Sequence, residues 1–401
     1  MATFRSASVG LALFLLANLQ AGASPLHRGV SSLTPGQERA QPLSFACARC
    51  HNAEFALWVG HPHSHALIDA TVAPERILPQ WREDEPGWAQ VGAGRFHRGD
   101  VALAIGQLQR QVFFRTDSDG HRLLPGQWNV RDASWEPLAE SFEQLRGAYR
   151  TWEEECIGCH STQVELLETA PGARAGEPGV GCPACHGDGE QHMAKGGLAP
   201  ILNPAKLSPE LRSQICAACH ARGVSTQGGR PYPVGFVPGQ PLSDGFTVAS
   251  PGAGQEALFW PDGVERRAWM EYQGFVQSGH HRVGISCTTC HATHGSDHER
   301  SLRRSASKLC AGCHTQSVPE AAAHIRHPGG EAGCVDCHMP LVNGDSREPH
   351  AHSHTFRFLP PTVEGISHRP SACTTRCHAG REPEWTAQTL NGWQNAGTGT
   401  Q

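Results

Sequence analysis

The sequence predicts a mainly α, loop-rich fold with small β-hairpin inserts, organised around something other than an aliphatic core. Three observations lead there. Hydrophobic residues make up only 38% of the 401 residues, below the ordinary share for a globular chain. Gly (45) and Pro (29) are abundant, so many residues must lie in turns and connecting loops. Cysteine and histidine are in excess, at 16 and 25, and the cysteines fall in close pairs within short, helix-like stretches.

Charge narrows the function classes. The chain carries 33 basic and 38 acidic side chains, a formal charge of −5, and its only lysines are Lys195, Lys206 and Lys308. No basic run is present, and a net acidic surface is repelled by phosphate, so nucleic acid is not an expected partner. Residues 1–23 read as a secretory signal. Arg5 gives the positive start, residues 9–19 form a short apolar run, and Ala21-Gly22-Ala23 has the small-x-small pattern of a cleavage site. No Cys lies near that site, so a lipid anchor is not expected. No later stretch is apolar enough to cross a bilayer. The expectation is an exported protein, periplasmic or extracellular, with no transmembrane segment after signal cleavage.

All 16 cysteines fall in eight motifs, each followed directly by histidine. In order they are Cys47-Ala-Arg-Cys50-His51, Cys156-Ile-Gly-Cys159-His160, Cys182-Pro-Ala-Cys185-His186, Cys216-Ala-Ala-Cys219-His220, Cys287-Thr-Thr-Cys290-His291, Cys310-Ala-Gly-Cys313-His314, Cys334-Val-Asp-Cys337-His338 and Cys373-Thr-Thr-Arg-Cys377-His378. The first seven have the C-x-x-C-H spacing of covalent haem attachment; the eighth is longer by one residue. Two thiols at this spacing can each form a thioether with one haem vinyl group. The next residue then lies under the porphyrin, where its imidazole can ligate iron. Zinc sites use C-x-x-C, and an exported disulfide scaffold has an even cysteine count, but neither requires a histidine after every pair. Haem c is therefore the expected cofactor, eight copies in all, and the bulk of the porphyrins replaces the missing aliphatic interior.

The motifs are unevenly spaced, which argues against a solenoid. The organisation expected is a signal at 1–23, a flexible segment at 24–44, the first motif with a β-containing insert at 45–155, a seven-motif region at 156–388 and a polar tail at 389–401. In the first gap, residues 107–116, the turn Asp117-Ser-Asp-Gly120 and residues 121–124 read as a hairpin. Residues 135–155 read as helical. Phe259-Trp260-Pro-Asp-Gly263-Val264 reads as a turn between extended pieces. Ser208-Pro209-Glu210-Leu211 reads as a capped helix start leading into the fourth motif.

Eight histidines are proximal ligands by position: His51, His160, His186, His220, His291, His314, His338 and His378. Seventeen remain to serve the opposite axial positions, whereas beyond the initiator only Met193, Met270 and Met339 could compete. A set ligated mostly by two histidines implies low reduction potentials, since Met ligation raises them. His63 and His65 follow the first motif, His192 the third and His294 the fifth. His280 and His281 precede the fifth, His324 and His327 precede the seventh, and His354 lies in the run from Pro349 to Phe356. His27, His97 and His121 read as ordinary polar residues. Several of the arginines are expected to neutralise haem propionates, because the planar guanidinium suits carboxylates.

The sequence resembles the octahaem c-type cytochromes related to cytochrome c-554, a family whose members are often fused to tetratricopeptide repeats. The similarity runs over about residues 45–385. It is carried by Trp58-x-Gly60-x-x-His63, by Cys182-x-x-Cys-His-Gly-x-Gly-x-x-His192, and by Gln277-Ser-x-His280 with Gly284-Ile-x-Cys287 and Cys290-His-x-x-His294. Cys334-Val-x-Cys-His-Met-Pro340, His354-Thr-Phe-Arg-Phe358 and Cys377-His-Ala-x-Arg-x-Pro-Glu-Trp385 extend it. The resemblance implies a multihaem cytochrome c fold around a chain of closely packed haems. It implies His63, His192, His280, His294, His327 and His354 as distal ligands. His350, His352 or His368 could supply the two that remain, or one haem is five-coordinate. No repeat pattern follows Trp385.

Two functions fit. The first is electron transfer along mostly bis-histidine haems, from a quinol-linked donor to a terminal reductase or an extracellular acceptor. The second is a multihaem oxidoreductase acting on small nitrogen or sulfur compounds or peroxide at one five-coordinate haem. Against the second, the sequence has no Cys-x-x-Cys-Lys motif. Its three tyrosines, Tyr149, Tyr232 and Tyr272, sit in no recognisable catalytic pattern.

Overall fold

The structure is a computed structural model. It describes residues 43–397, apart from 83, 316–323, 325–326, 328–331, 344 and 361–368. The chain divides into Met1–Glu38, which lies outside the described residues with the predicted signal, and Arg39–Gln401.

The strands, in chain order, are β1 (Ile68–Asp69), β2 (Trp88–Val91), β3 (Gly94–His97), β4 (Leu103–Ile105), β5 (Arg110–Asp117), β6 (Gly120–Asn129), β7 (Ser134–Glu136), β8 (Ser161–Leu166), β9 (Ala173–Pro178), β10 (Gly223–Ser225) and β11 (Phe246–Val248). Strands β1-β4-β5-β6-β7 form a five-stranded antiparallel sheet, and β2-β3, β8-β9 and β10-β11 form hairpin-like pairs. Helix takes 32% of the molecule and strand 18%. The expectation of a mainly α chain is therefore not met. The sequence between the first two motifs is β-rich, and short strands also follow the second and fourth motifs.

The predicted hairpin of the first gap is β5–β6, closed by Ser118-Asp119 with Asp117 opposite Gly120. Its apolar run Val112-Phe113-Phe114 is buried without alternation, because both faces of the sheet are covered. Phe113 points into a cluster with Ile68, Phe96, Leu124 and Trp128. Phe114, facing the other way, packs with Leu123, Trp152, Ile157 and Tyr232. The second cluster reaches Cys156 and Cys159, so the sheet is the floor on which the second motif stands. A tight contact fixes that seat. A Cβ on Gly158 would lie 2.1 Å from the Tyr232 ring, so only glycine lets the buried tyrosine close over the motif.

Helices elsewhere are short. Ser208 caps the 12-residue helix Pro209–His220, its hydroxyl accepting from the Leu211 N–H at 3.3 Å, as the sequence predicts. Thr151 and Glu154 form a capping box at Trp152–Glu155, which runs into Cys156. The region expected to be helical before it is split: β7 comes first, then Glu140–Gly147, then this short turn. Phe259 bridges to Glu265 across the predicted Trp260–Gly263 turn. Residues Pro383–Gly397 form a helix, covering most of the stretch read as a polar tail. Among the described residues no helix is long and apolar enough to cross a membrane.

Candidate haem sites

Each motif closes on itself in one helical turn. The histidine N–H donates to the carbonyl of the first cysteine, at 2.9 Å for His51, 3.2 Å for His160, 3.0 Å for His186 and His291, and 2.9 Å for His314. This turn brings both sulfurs and the imidazole to one side of the chain. The eighth motif keeps the same link over one more residue: His378 N–H donates to Cys373 O at 3.1 Å. The inserted Arg376 is absorbed by a wider turn, and its side chain reaches out to Asp336 at 3.2 Å.

Seven of the motif imidazoles face a second imidazole. The ring centres lie 6.3 Å apart for His51 and His192, 6.3 Å for His63 and His220, and 6.2 Å for His186 and His294. They lie 5.9 Å apart for His280 and His314, 6.4 Å for His291 and His354, 6.0 Å for His324 and His338, and 6.2 Å for His327 and His378. A metal–nitrogen bond of about 2 Å on each side, with about 1.1 Å from nitrogen to ring centre, requires about 6.2 Å. The gaps therefore match one iron between two imidazoles. Direct hydrogen bonding between the rings would bring them closer. Among the described residues, His160 is the one motif histidine with no second imidazole at this separation; its ring lies 5.7 Å from Trp152, tilted by 56°.

The rings are held by their other nitrogens. Nδ1 bonds a backbone carbonyl in His160 (Ala66, 2.8 Å), His186 (Leu202, 2.9 Å) and His291 (Arg300, 3.0 Å). The facing imidazoles do likewise in His192 (Ala199, 2.7 Å) and His354 (His352, 2.9 Å). Such bonds leave Nε2 as the free donor to a metal. Burial pushes His63 down to about 3, helped by His220 and His61 beside it, and pushes His354 down to about 4. Burial also lowers His280, His291, His294 and His338. These imidazoles stay neutral, the form that ligates iron. His220 departs from the pattern. Burial works against its charge, but a hydrogen bond to the Glu271 carboxylate (3.2 Å) outweighs it and raises the pKa.

All sixteen thiols are free, and they stand where the thioether sulfurs of attached haem would be. Thiols of different motifs meet in pairs: Cys47 with Cys182, Cys159 with Cys219, Cys216 with Cys287, and Cys310 with Cys334. The attachment edges of the first and third, second and fourth, fourth and fifth, and sixth and seventh motifs are thus neighbours. Cys290 lies near Cys313, and Cys337 near Cys377, which links the fifth to the sixth and the seventh to the eighth.

The donor set suits haem c and not zinc. Among the described residues no cluster of three or more His, Cys, Asp or Glu side chains forms a metal cage. Buried guanidinium nitrogens also await anionic partners: Arg222 Nε and Arg266 Nε are buried without a hydrogen-bond acceptor, as expected of side chains placed for propionates.

All six histidines implied by the family resemblance face a motif histidine. His63 rather than His65 occupies the position opposite His220. His324 and His327 are not alternatives, since each faces a different motif. His324 is the residue the sequence reading left unassigned; only its place just before the seventh motif could have marked it. His350 and His352 face no motif histidine at the separation of the seven pairs, and His368 lies outside the described residues. His97 caps a short turn and His121 bonds Glu153 at 2.7 Å, both in the ordinary polar roles expected of them. His27 lies outside the described residues.

Comparison with known proteins points to the multihaem cytochromes. Residues 280–318 match the family model for the doubled CXXCH motif, and residues 131–187 match that for cytochrome c554 and c-prime. No curated protein sequence matches the chain. Among solved structures, the fold is similar to the outer cell wall cytochrome OcwA, with a TM-score of 0.72 and 21% identity over 88% of this chain and 86% of that one. An undecahaem cytochrome from the S-layer of Carboxydothermus ferrireducens aligns at TM-score 0.49 and 16% identity, covering 89% of this chain and 61% of the other. The Wolinella succinogenes octahaem sulfite reductase MccA aligns at TM-score 0.36 and 15% identity, over 81% and 57%. The chain has the fold of a multihaem cytochrome.

Proposed function

We propose that this chain is an exported c-type cytochrome that moves electrons along a row of eight haem sites, seven of them closed by histidine on both axial faces. The observation that carries this reading is the set of seven imidazole pairs spaced for one iron each. Haem bound there would supply one-electron carriage at low potential. The protein's part is to attach, orient and insulate. Each motif turn fixes one imidazole, a histidine from another segment closes the opposite face to substrate, and adjoining sulfurs hold consecutive sites edge to edge. The row runs from the first motif to the third, whose Cys185 lies near Cys216 and Cys219 of the fourth, with the second beside the fourth, then through the fifth, sixth and seventh to the eighth.

Placement outside the cytoplasm is supported by the leader-like residues 1–23 and by the fold shared with an outer cell wall cytochrome. The expected partners are a quinol-linked donor on one side and a terminal reductase or extracellular acceptor on the other. The test is direct. Purified protein should give a pyridine haemochrome spectrum and an intact mass with eight haem additions. Its oxidised EPR spectrum should be dominated by low-spin signals. Seven additions would remove the Cys373–Cys377 site, and a mostly high-spin spectrum would defeat the bis-histidine arrangement.

One observation favours a second reading for the second site. His160 faces no second imidazole among the described residues, so an open coordination position there could accept a small nitrogen or sulfur compound or peroxide. A high-spin fraction of about one haem in eight that binds cyanide, together with turnover of nitrite, hydroxylamine, tetrathionate or peroxide, would establish it. Uniformly low-spin protein with no turnover would leave electron transfer as the whole activity.

A further inference from the structure

The hydrogen bond from His220 to Glu271 has no counterpart at the other motif histidines whose Nδ1 partners were given above. His160, His186 and His291 all donate Nδ1–H to a neutral backbone carbonyl. His220 meets a carboxylate, Glu271 Oε2, at 3.2 Å. The geometry is built in. His220 ends the helix Pro209–His220, and Glu271 begins the helix Glu271–Val276. The two helices are tied together by Tyr272, whose hydroxyl donates to Glu210 Oε1 at 2.9 Å. With Nε2 committed to a metal, Nδ1 must carry the proton, so His220 is the donor and Glu271 the acceptor.

A carboxylate draws that proton more strongly than a carbonyl does. The imidazole gains anionic character and gives more electron density to whatever Nε2 ligates, which favours the oxidised metal. The site matters because of its position. The fourth motif is the junction of the row: Cys219 meets Cys159 of the second motif, Cys216 meets Cys287 of the fifth, and Cys185 of the third lies near both Cys216 and Cys219.

We infer that Glu271 is a positioning residue that makes the His220–His63 site the lowest-potential histidine-paired site in the protein. The inference rests on the haem-binding reading above. Its consequence is that electrons are not stored at the junction. They pass through it and settle on the arms: at the second site, along the third and first, or along the fifth to eighth.

The experiment uses the full-length, haem-loaded protein and a potentiometric titration followed by absorbance and low-temperature EPR. Glu271→Gln keeps the shape and removes the charge. The expected result is that one component, at the low-potential end, becomes easier to reduce by the largest step, with a smaller shift at the His291–His354 site, which Glu271 also faces. At fixed potential the reduced-to-oxidised ratio of that low-potential component rises about tenfold, a shift of about 59 mV for one electron. The g-values of the low-spin signal whose imidazole loses the Glu271 hydrogen bond should move most. Glu165→Gln, which neutralises an exposed carboxylate paired only with Arg174 on the neighbouring strand, should leave the titration as it is. Should Glu271→Gln lose its haem, Glu271→Asp, too short to reach Nδ1, carries the test with the same expected direction. A titration superimposable on that of the unaltered protein, or a shift in a component at the high-potential end, overturns the inference while leaving haem binding intact. Absence of haem from the unaltered protein overturns the haem reading instead.

Discussion

The insert between the first two motifs and the region after the fourth are held together in different ways. In the insert, the five-stranded sheet buries Phe113, Phe114, Ala104, Ile68 and Leu138 almost completely. The Trp135 ring sits within 5.3–5.4 Å of Phe96, Phe113 and Trp128. Each fully buried Phe there contributes about 1.5–3 kcal/mol by burial alone. After the fourth motif, the cluster formed by Trp260, Val264, Val342 and Leu359 is small, and most regular elements are short. There, paired histidines from separate segments face each other with ring centres 5.9–6.4 Å apart. The difference teaches that one chain can combine two folding strategies: an apolar core built from its own residues, and an interior completed by a covalently attached group.

The contrast can be broken most severely by withholding haem. Full-length protein produced without haem attachment should keep slow hydrogen exchange in β5 and β6, while amides of the helices Pro209–His220, Cys287–Cys290 and Cys334–His338 exchange freely. Equal protection in both regions would show that the motif region folds without its cofactor. The next largest effect is expected from Phe113→Ala. It should cost about 3–5 kcal/mol in denaturant unfolding of the insert, with haem count and low-spin spectrum retained. Loss of haem in this variant would mean that the two regions are not separable.

His294→Ala should act only in the other half. It removes the imidazole that faces His186 at 6.2 Å, so one low-spin signal should become high-spin while β5–β6 exchange is unaltered. An unchanged EPR spectrum would remove His294 from the ligand set. The smallest effect concerns Glu177, which joins the third motif to the first: it accepts from the Ser44 N–H at 3.4 Å, and Ser44 Oγ accepts from Cys182 N–H at 2.8 Å. Burial raises the Glu177 carboxyl above its usual range, though bonds from Ser44 oppose this. A carboxyl raised in the folded state favours folding at low pH and loses that advantage as pH climbs through the ordinary carboxylate range. The stability of the unaltered protein should therefore fall relative to Glu177→Gln as pH rises from about 4 to about 7. Parallel pH profiles would exclude the carboxyl as the cause.

Much of the site was legible because covalent attachment demands a fixed local spacing. All eight motif histidines follow from counting residues after a cysteine. The partners of those histidines come from other segments, so spacing along the chain carries little information about them. His63, His192, His280, His294, His327 and His354 came from the resemblance, and His324 escaped because it lies close to His327 with nothing local to separate their roles. In the fold, the β5–β6 hairpin and the Ser208 cap were readable from turn and capping chemistry. The pairs β8–β9 and β10–β11 were not, since residues 161–178 and 223–248 lack clean alternation and are paired through tertiary contacts. Helix was overestimated for the same reason: short motif turns look helical locally but do not propagate.

The wider turn at Cys373–His378 carries a consequence for biosynthesis. The folded protein accommodates the added residue, but the enzyme that couples porphyrin to apoprotein meets the segment before it folds. A host whose ligation machinery accepts only the shorter gap would yield a coloured product lacking one chromophore at its C-terminal end. Recombinant yield of the complete species then becomes a measure of how tolerant that host's lyase is.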